Sequence, residues 1–158
     1  MAEALIVAAI ENNRVEVYYQ PIFSTKKQRF TSAEALVRIK DSQGNLVPPG
    51  VFIDIAEKNG MIIKLGEMVF EKVCQMIRIN RPEQYGIEYV EINLSVVQCA
   101  YAYLAEDFIR IMDKYHINPG MINLEITESA SLQAKKTMLD NMKCLMNCGL
   151  PLKRFKRS

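Results

Sequence analysis

The chain reads as an α/β protein, and two observations carry that reading. Short apolar stretches with strand-like alternation recur along its 158 residues, and the later ones are separated by stretches with helical spacing. The first two strands lie too close together for a parallel crossover. They are therefore expected to pair as an antiparallel hairpin ahead of parallel strands with helices packed outside.

The elements follow in order. Leu5, Ile6, Ala9 and Ile10 give residues 2–12 a helical period. Val15 to Phe23 and Phe30 to Ile39 read as strands, with only Ser24 to Arg29 between them. Gly44 to Gly50, with Pro48 and Pro49, reads as a loop, followed by helices over Val51 to Asn59 and Met61 to Ile79. A third strand is predicted over Tyr89 to Val96 and a helix around Leu104 to Tyr115. Pro119-Gly120 breaks that helix before a fourth strand, Met121 to Thr127. Leu132 to Cys148 is read as a last helix, stopped at Gly149 by a left-handed cap.

Composition narrows the class. A chain of 158 residues, 49% apolar and 24% charged, suits one globular domain. No apolar run approaches the roughly 18 residues of a membrane span, and no basic region precedes an apolar core at the N-terminus. The expectation is a cytoplasmic protein with no membrane segment. Net charge is +2, but Lys153, Arg154, Lys156 and Arg157 crowd the end; removing those four charges leaves −2. The body is thus not a surface for a nucleic-acid polymer.

Cys74, Cys99, Cys144 and Cys148 lack paired CxxC spacing, so buried reduced thiols are expected, although Cys144 and Cys148 can share a helix face. His116, the lone histidine, is placed at a helix end as a cation or cap contact.

The strands divide into two faces. Ala33, Ala35, Val37 and Ile39 oppose Ser32, Glu34, Leu36 and Arg38. Val90, Ile92, Leu94 and Val96 oppose Tyr89, Glu91, Asn93 and Ser95, and Ile122, Leu124 and Ile126 oppose Asn123, Glu125 and Thr127. If the sheet curls, the polar faces line its inside, and Glu34, Asn93 and Glu125 converge from neighbouring strands. Two carboxylates beside an amide oxygen form an all-oxygen set suited to Mg²⁺ or Mn²⁺. Arg38 shares that face and is available to Glu34 or to a phosphate, while Glu91 reads first as a structural partner. The same alternation also fits an open sheet whose polar residues face water.

Tyr18-Tyr19-Gln20-Pro21-Ile22, Glu34-Ala35-Leu36-Val37-Arg38, Gly44-Asn45-Leu46-Val47-Pro48 with Phe52-Ile53, Ala56-Glu57, Asn93-Leu94-Ser95 and Glu125-Ile126-Thr127-Glu128-Ser129 occur in this order. The series resembles the EAL family of bacterial cyclic di-GMP phosphodiesterases over residues 2–150. Glu3-Ala4-Leu5 spells the same tripeptide inside a predicted helix and carries no weight.

The resemblance implies a variant (β/α)₈ TIM-type barrel of roughly 250 residues whose first strand is antiparallel. It implies hydrolysis of cyclic di-GMP to pGpG with two divalent ions. Glu34, Asn93 and Glu125 would be metal ligands, Gln20, Leu36 and Arg38 would contact the dinucleotide, and Glu128 would steady a loop near the second ion.

The family continues into a fifth strand carrying Asp-Asp-Phe-Gly. Here Leu150-Pro151-Leu152 leads instead into Lys153-Arg154-Phe155-Lys156-Arg157-Ser158. Residues 1–150 are accordingly expected to be the N-terminal half of the domain, with four strands and their helices, open or completed by a dimer. Residues 151–158 are expected to be a disordered basic tail outside it.

No catalytic set is complete on this reading, metal binding is weak or absent, and the chain is inactive alone. Open sheet edges invite a homodimer or other self-association. The alternatives are a non-catalytic module binding cyclic di-GMP or a protein, and a truncation product with no function of its own.

Overall fold

A computed structural model describes residues 2–127 and 135–155. Among these residues the α-helices and strands follow in the order α1 (Ala2–Glu11), β1 (Val15–Ser24), β2 (Arg29–Lys40), β3 (Leu46–Val47), α2 (Pro49–Asn59), α3 (Met61–Asn80), β4 (Tyr89–Ser95), α4 (Val96–Cys99), α5 (Leu104–Tyr115), β5 (Ile122–Thr127), α6 (Lys135–Asn147) and β6 (Leu152–Phe155). Glu3, Ala4 and Leu5 lie in α1, as the helical spacing predicts.

Among the described residues these strands form one mixed sheet in the order β1-β2-β4-β5-β6, with β3 on the side of β2. β1 and β2 are antiparallel, with Val15 opposite Ile39 and Gln20 opposite Glu34. The β2–β4, β4–β5 and β5–β6 pairs are parallel. The hairpin and the parallel succession match the sequence reading. The sheet is not closed, as expected of part of a barrel.

The helices cover one face because that face offers them an unbroken apolar surface. Ala35, Ile39, Val90, Ile92, Leu94, Ile122, Leu124 and Ile126 are all buried. Against them pack Leu65, Val69, Phe70 and Val73 of α3 and Phe108, Ile111 and Met112 of α5. Phe70 and Phe108 stack with ring centroids 3.9 Å apart, joining the two helices. α1 seals a corner of the same core with Ile6 and Ala9.

Turn chemistry sets where the helices end. After α5, His116 adopts a left-handed φ of 54°; its amide reaches the Asp113 carbonyl and the Ile117 amide reaches Met112. That paired pattern satisfies the last carbonyls of the helix, so the lone histidine is a cap residue. Gly149 (φ 100°) closes α6 in the same way, with Leu150 reaching back to Leu145. Buried Asn141 of α6 uses its whole amide: it accepts from the Ala105 amide and donates to the carbonyls of Cys99 and Tyr101. One side chain thereby fixes the α4–α5 connection.

Three local expectations change. The loop at 44–50 contains β3, whose Val47 and Leu46 pair with Ile39 and Lys40, and Pro49 already starts α2. Val96, expected in the third predicted strand, leaves β4 to begin the one-turn helix α4, because Ser95 and Gln98 form a reciprocal capping box.

The third change is the largest. Leu152–Phe155, expected in a disordered tail, form β6 in register with Leu124–Thr127. Strand β5 offers an unsatisfied ladder edge there, and pairing with it supplies the hydrogen bonds that these residues would otherwise take from water. The predicted start of the last helix, before Lys135, lies outside the described residues.

Candidate metal and ligand site

The polar face of the sheet gathers its chemistry from five strands, β4 giving two residues and the others one each. Register places Gln20 opposite Glu34, Glu34 beside Glu91, Asn93 beside Glu125, and Glu125 beside Lys153. Ser32 and Asn123 are buried at the end of this face where the parallel strands begin. Asn93 is exposed and Glu34 and Glu125 are half-buried, so the face opens toward the strand C-termini. Ligands collect at that end of parallel α/β sheets.

Glu34 and Asn93 are in direct contact: the Asn93 amide Nδ2 donates to Glu34 Oε1 at 2.9 Å. Glu125 stands near enough to feel its neighbours. Burial pushes its carboxyl above the ordinary range, Glu91 and Glu34 push it further, and Lys153 opposes them. A carboxylate raised by like charges marks a place that would take up a cation.

Glu91 has its own partner, since Lys153 Nζ lies 3.2 Å from its Oε1 and 5.5 Å from the Tyr89 ring centroid. The expectation of a structural role for Glu91 fits this pair. Arg38 does not reach Glu34 among the described ion pairs; its Nη1 donates to the Val37 carbonyl at 2.8 Å. Glu128 lies outside the described residues.

Beside this face opens a cavity of about 550 Å³ whose walls include Leu36, Arg38, Ile53, Glu57, Asn93 and Ser95. Glu57 and Ser95 belong to the motifs without a role assigned from sequence. Glu57 Oε2 accepts from the Ser95 hydroxyl at 3.0 Å, tying α2 to the end of β4 two residues after Asn93. Their signal in the sequence was a carboxylate and a hydroxyl in adjacent motifs, but only the fold shows that they touch. Lys153 was missed because its strand was read as tail.

Among the described residues no three His, Cys, Asp or Glu side chains come together to hold a metal, so the Asn93 amide oxygen has to complete any set. Glu34, Asn93 and Glu125 then fit one hard divalent ion with waters in its remaining positions. Among the described residues, the strand flanking Glu125 places Lys153, an ammonium group, beside it.

The EAL domain profile matches residues 3–156, nearly the whole chain. The chain belongs to the EAL domain family. The match extends through β6, so the EAL domain of this chain includes residues that the sequence reading had set apart as tail.

Signaling protein YkoW of Bacillus subtilis is 38% identical over 134 residues, covering 82% of this chain and 16% of its own length. The bifunctional diguanylate cyclase/cyclic di-GMP phosphodiesterase MucR of Pseudomonas aeruginosa is 30% identical over 125 residues, 79% of this chain and 18% of its own length. The solved structure described as PaMucR phosphodiesterase in complex with c-di-GMP superposes with a TM-score of 0.84 at 26% identity. That alignment covers 96% of this chain and 61% of the solved one. This EAL chain thus spans under a fifth of those two curated relatives and about three fifths of that solved structure.

Proposed function

We propose that this EAL chain recognises cyclic di-GMP and carries one half of a metal-dependent phosphodiesterase site, without turning the dinucleotide over by itself. The observation that supports this most is the meeting of Glu34, Asn93 and Glu125 on one face, beside the cavity that Leu36 and Arg38 help to line. Three relatives are named as cyclic di-GMP phosphodiesterases, one of them only as probable.

On this reading Glu34, Asn93 and Glu125 hold Mg²⁺ or Mn²⁺, and such an ion polarises a phosphoryl oxygen. Gln20, Leu36 and Arg38 contact the dinucleotide, with the Arg38 guanidinium suited to a phosphate. By the family resemblance Glu128, which lies outside the described residues, would steady a loop near the site. Hydrolysis to pGpG calls for a second group of acids, and on this reading Lys153, Arg154 and Phe155 of β6 supply none.

The experiment is to incubate the chain with cyclic di-GMP and Mn²⁺ and separate the products by chromatography, with binding followed by calorimetry. Saturable binding that Glu34→Ala weakens, with no pGpG, is the expected result. Product that disappears in Glu34→Ala would show that the site is complete and overturn the proposed inactivity. No binding at all would leave a protein-interaction module as the better reading.

The sheet ends β1 and β6 further suggest that two copies associate edge to edge, giving a homodimer. Four cysteines free of disulfides suit a cytoplasmic location.

A further inference from the structure

Among the described residues, Lys153 is the cation whose ammonium group lies among the site carboxylates. Its strand pairs with β5 so that it lies beside Glu125, and its Nζ bonds Glu91, the neighbour of Glu34 in the next register. Glu91 is nearly covered, with 13% of its side chain exposed, whereas Lys153 keeps 53%. The lysine stem therefore reaches over the face from its edge and sets a positive charge beside Glu91 and Glu125, two acids that would otherwise repel one another.

We propose that Lys153 is a built-in counter-ion that competes with divalent metal for this face, confining the chain to a single, weakly held ion. This rests on the reading of Glu34, Asn93 and Glu125 as the ion's ligands and adds what sets their affinity. An ammonium group and a metal ion a few ångströms apart repel. In a site open to water the penalty is about tenfold in affinity, and salt reduces it. The Lys153–Glu91 bond also withholds Glu91, a further acid on the face, from any ion.

The test is Mn²⁺ titration, following the unbound ion by its paramagnetic resonance. It uses the unaltered chain, Lys153→Met, Lys153→Gln as a second neutral variant, and Lys143→Met as a control on the exposed face of α6. Glu34→Gln is made in the unaltered and Lys153→Met backgrounds, and circular dichroism checks that each variant folds.

Both neutral variants at 153 should bind Mn²⁺ about tenfold more tightly at low salt, with the gap narrowing as salt rises. Lys143→Met should change nothing, and Glu34→Gln should weaken binding in both backgrounds. If the variants at 153 stay within about twofold of the unaltered chain while Glu34→Gln still weakens binding, the counter-ion proposal falls and the ligand reading stands. If Glu34→Gln leaves uptake unchanged in both backgrounds, or nothing binds in any variant, the ligand reading falls with it.

Discussion

The Ser95 hydroxyl accepts from the Val97 amide at 3.1 Å and donates to Glu57 at 3.0 Å, two residues beyond Asn93. It therefore caps α4 and clamps α2 at once. Ser95→Ala should cost about 1–2 kcal/mol in urea unfolding, the usual worth of a cap plus the bond that Glu57 loses. Ser95→Thr should retain most of that stability, since it keeps the hydroxyl; an unaltered midpoint in Ser95→Ala would show that the clamp contributes nothing. At this scale the sequence was informative where chemistry was repeated. Glu34, Asn93 and Glu125 stood out because each interrupts an apolar strand with a polar group, and register brings them onto one face. Lys153 was hidden by its company: among Arg154, Lys156 and Arg157 it read as one more solvated charge. Ser95 and Glu57 were visible as motif letters, but their contact crosses 38 residues and follows from the packing of α2 on the sheet.

Between elements, α3 and α5 are joined by a stacked aromatic pair inside and a polar cluster at the rim. There Glu71 accepts from Lys114 Nζ at 2.9 Å and from the Tyr115 hydroxyl at 2.8 Å, while Gln75 donates to that same hydroxyl at 2.8 Å. The Lys114 bond, followed by the Tyr115 bond, holds the Glu71 carboxyl below its ordinary range. A depressed carboxylate adds stability that is present above its unfolded value of about 4.3 and lost as pH falls through the lower folded value. Glu71→Gln should therefore be less stable than the unaltered chain near neutrality, and the difference should shrink with acidification, as read from denaturation midpoints across pH. A constant difference at every pH would assign the loss to packing rather than to charge. Most element boundaries were legible because apolar period and turn residues agreed, as at Gly149 after α6. The exceptions are β3, α4 and β6, which are two to four residues long and carry too few residues to show a period. Each exists because a neighbour accepts it: β2 for β3, the Ser95–Gln98 box for α4, β5 for β6.

At the scale of the whole molecule, the antiparallel start is foreseen from loop length, since a short connection permits nothing but a hairpin, and the parallel continuation from the alternation of strands with helices. Where the sheet stops is not foreseen, because an edge is defined by what lies beside it. β1 and the basic β6 are the strands left at the ends of the order, and edge pairing of two copies follows as an expectation. Sedimentation velocity should give a dimer that dissociates on dilution; a concentration-independent monomer would count against it. The mixed sheet also sets an order in time. The β1–β2 hairpin closes across a four-residue turn, and such contacts form in microseconds, whereas Asn93 meets Glu34 only after a 59-residue separation has been bridged. Gln20 and Glu34 are thus apposed early, on a ribbon that still lacks its other walls. In pulse-labelled hydrogen exchange the amides of β1 and β2 should gain protection before those of β4 and β5, and the reverse order would refute this sequence of events. The pocket is then the last thing the chain acquires, and a polypeptide stalled partway would already display its glutamate without anywhere to hold an ion.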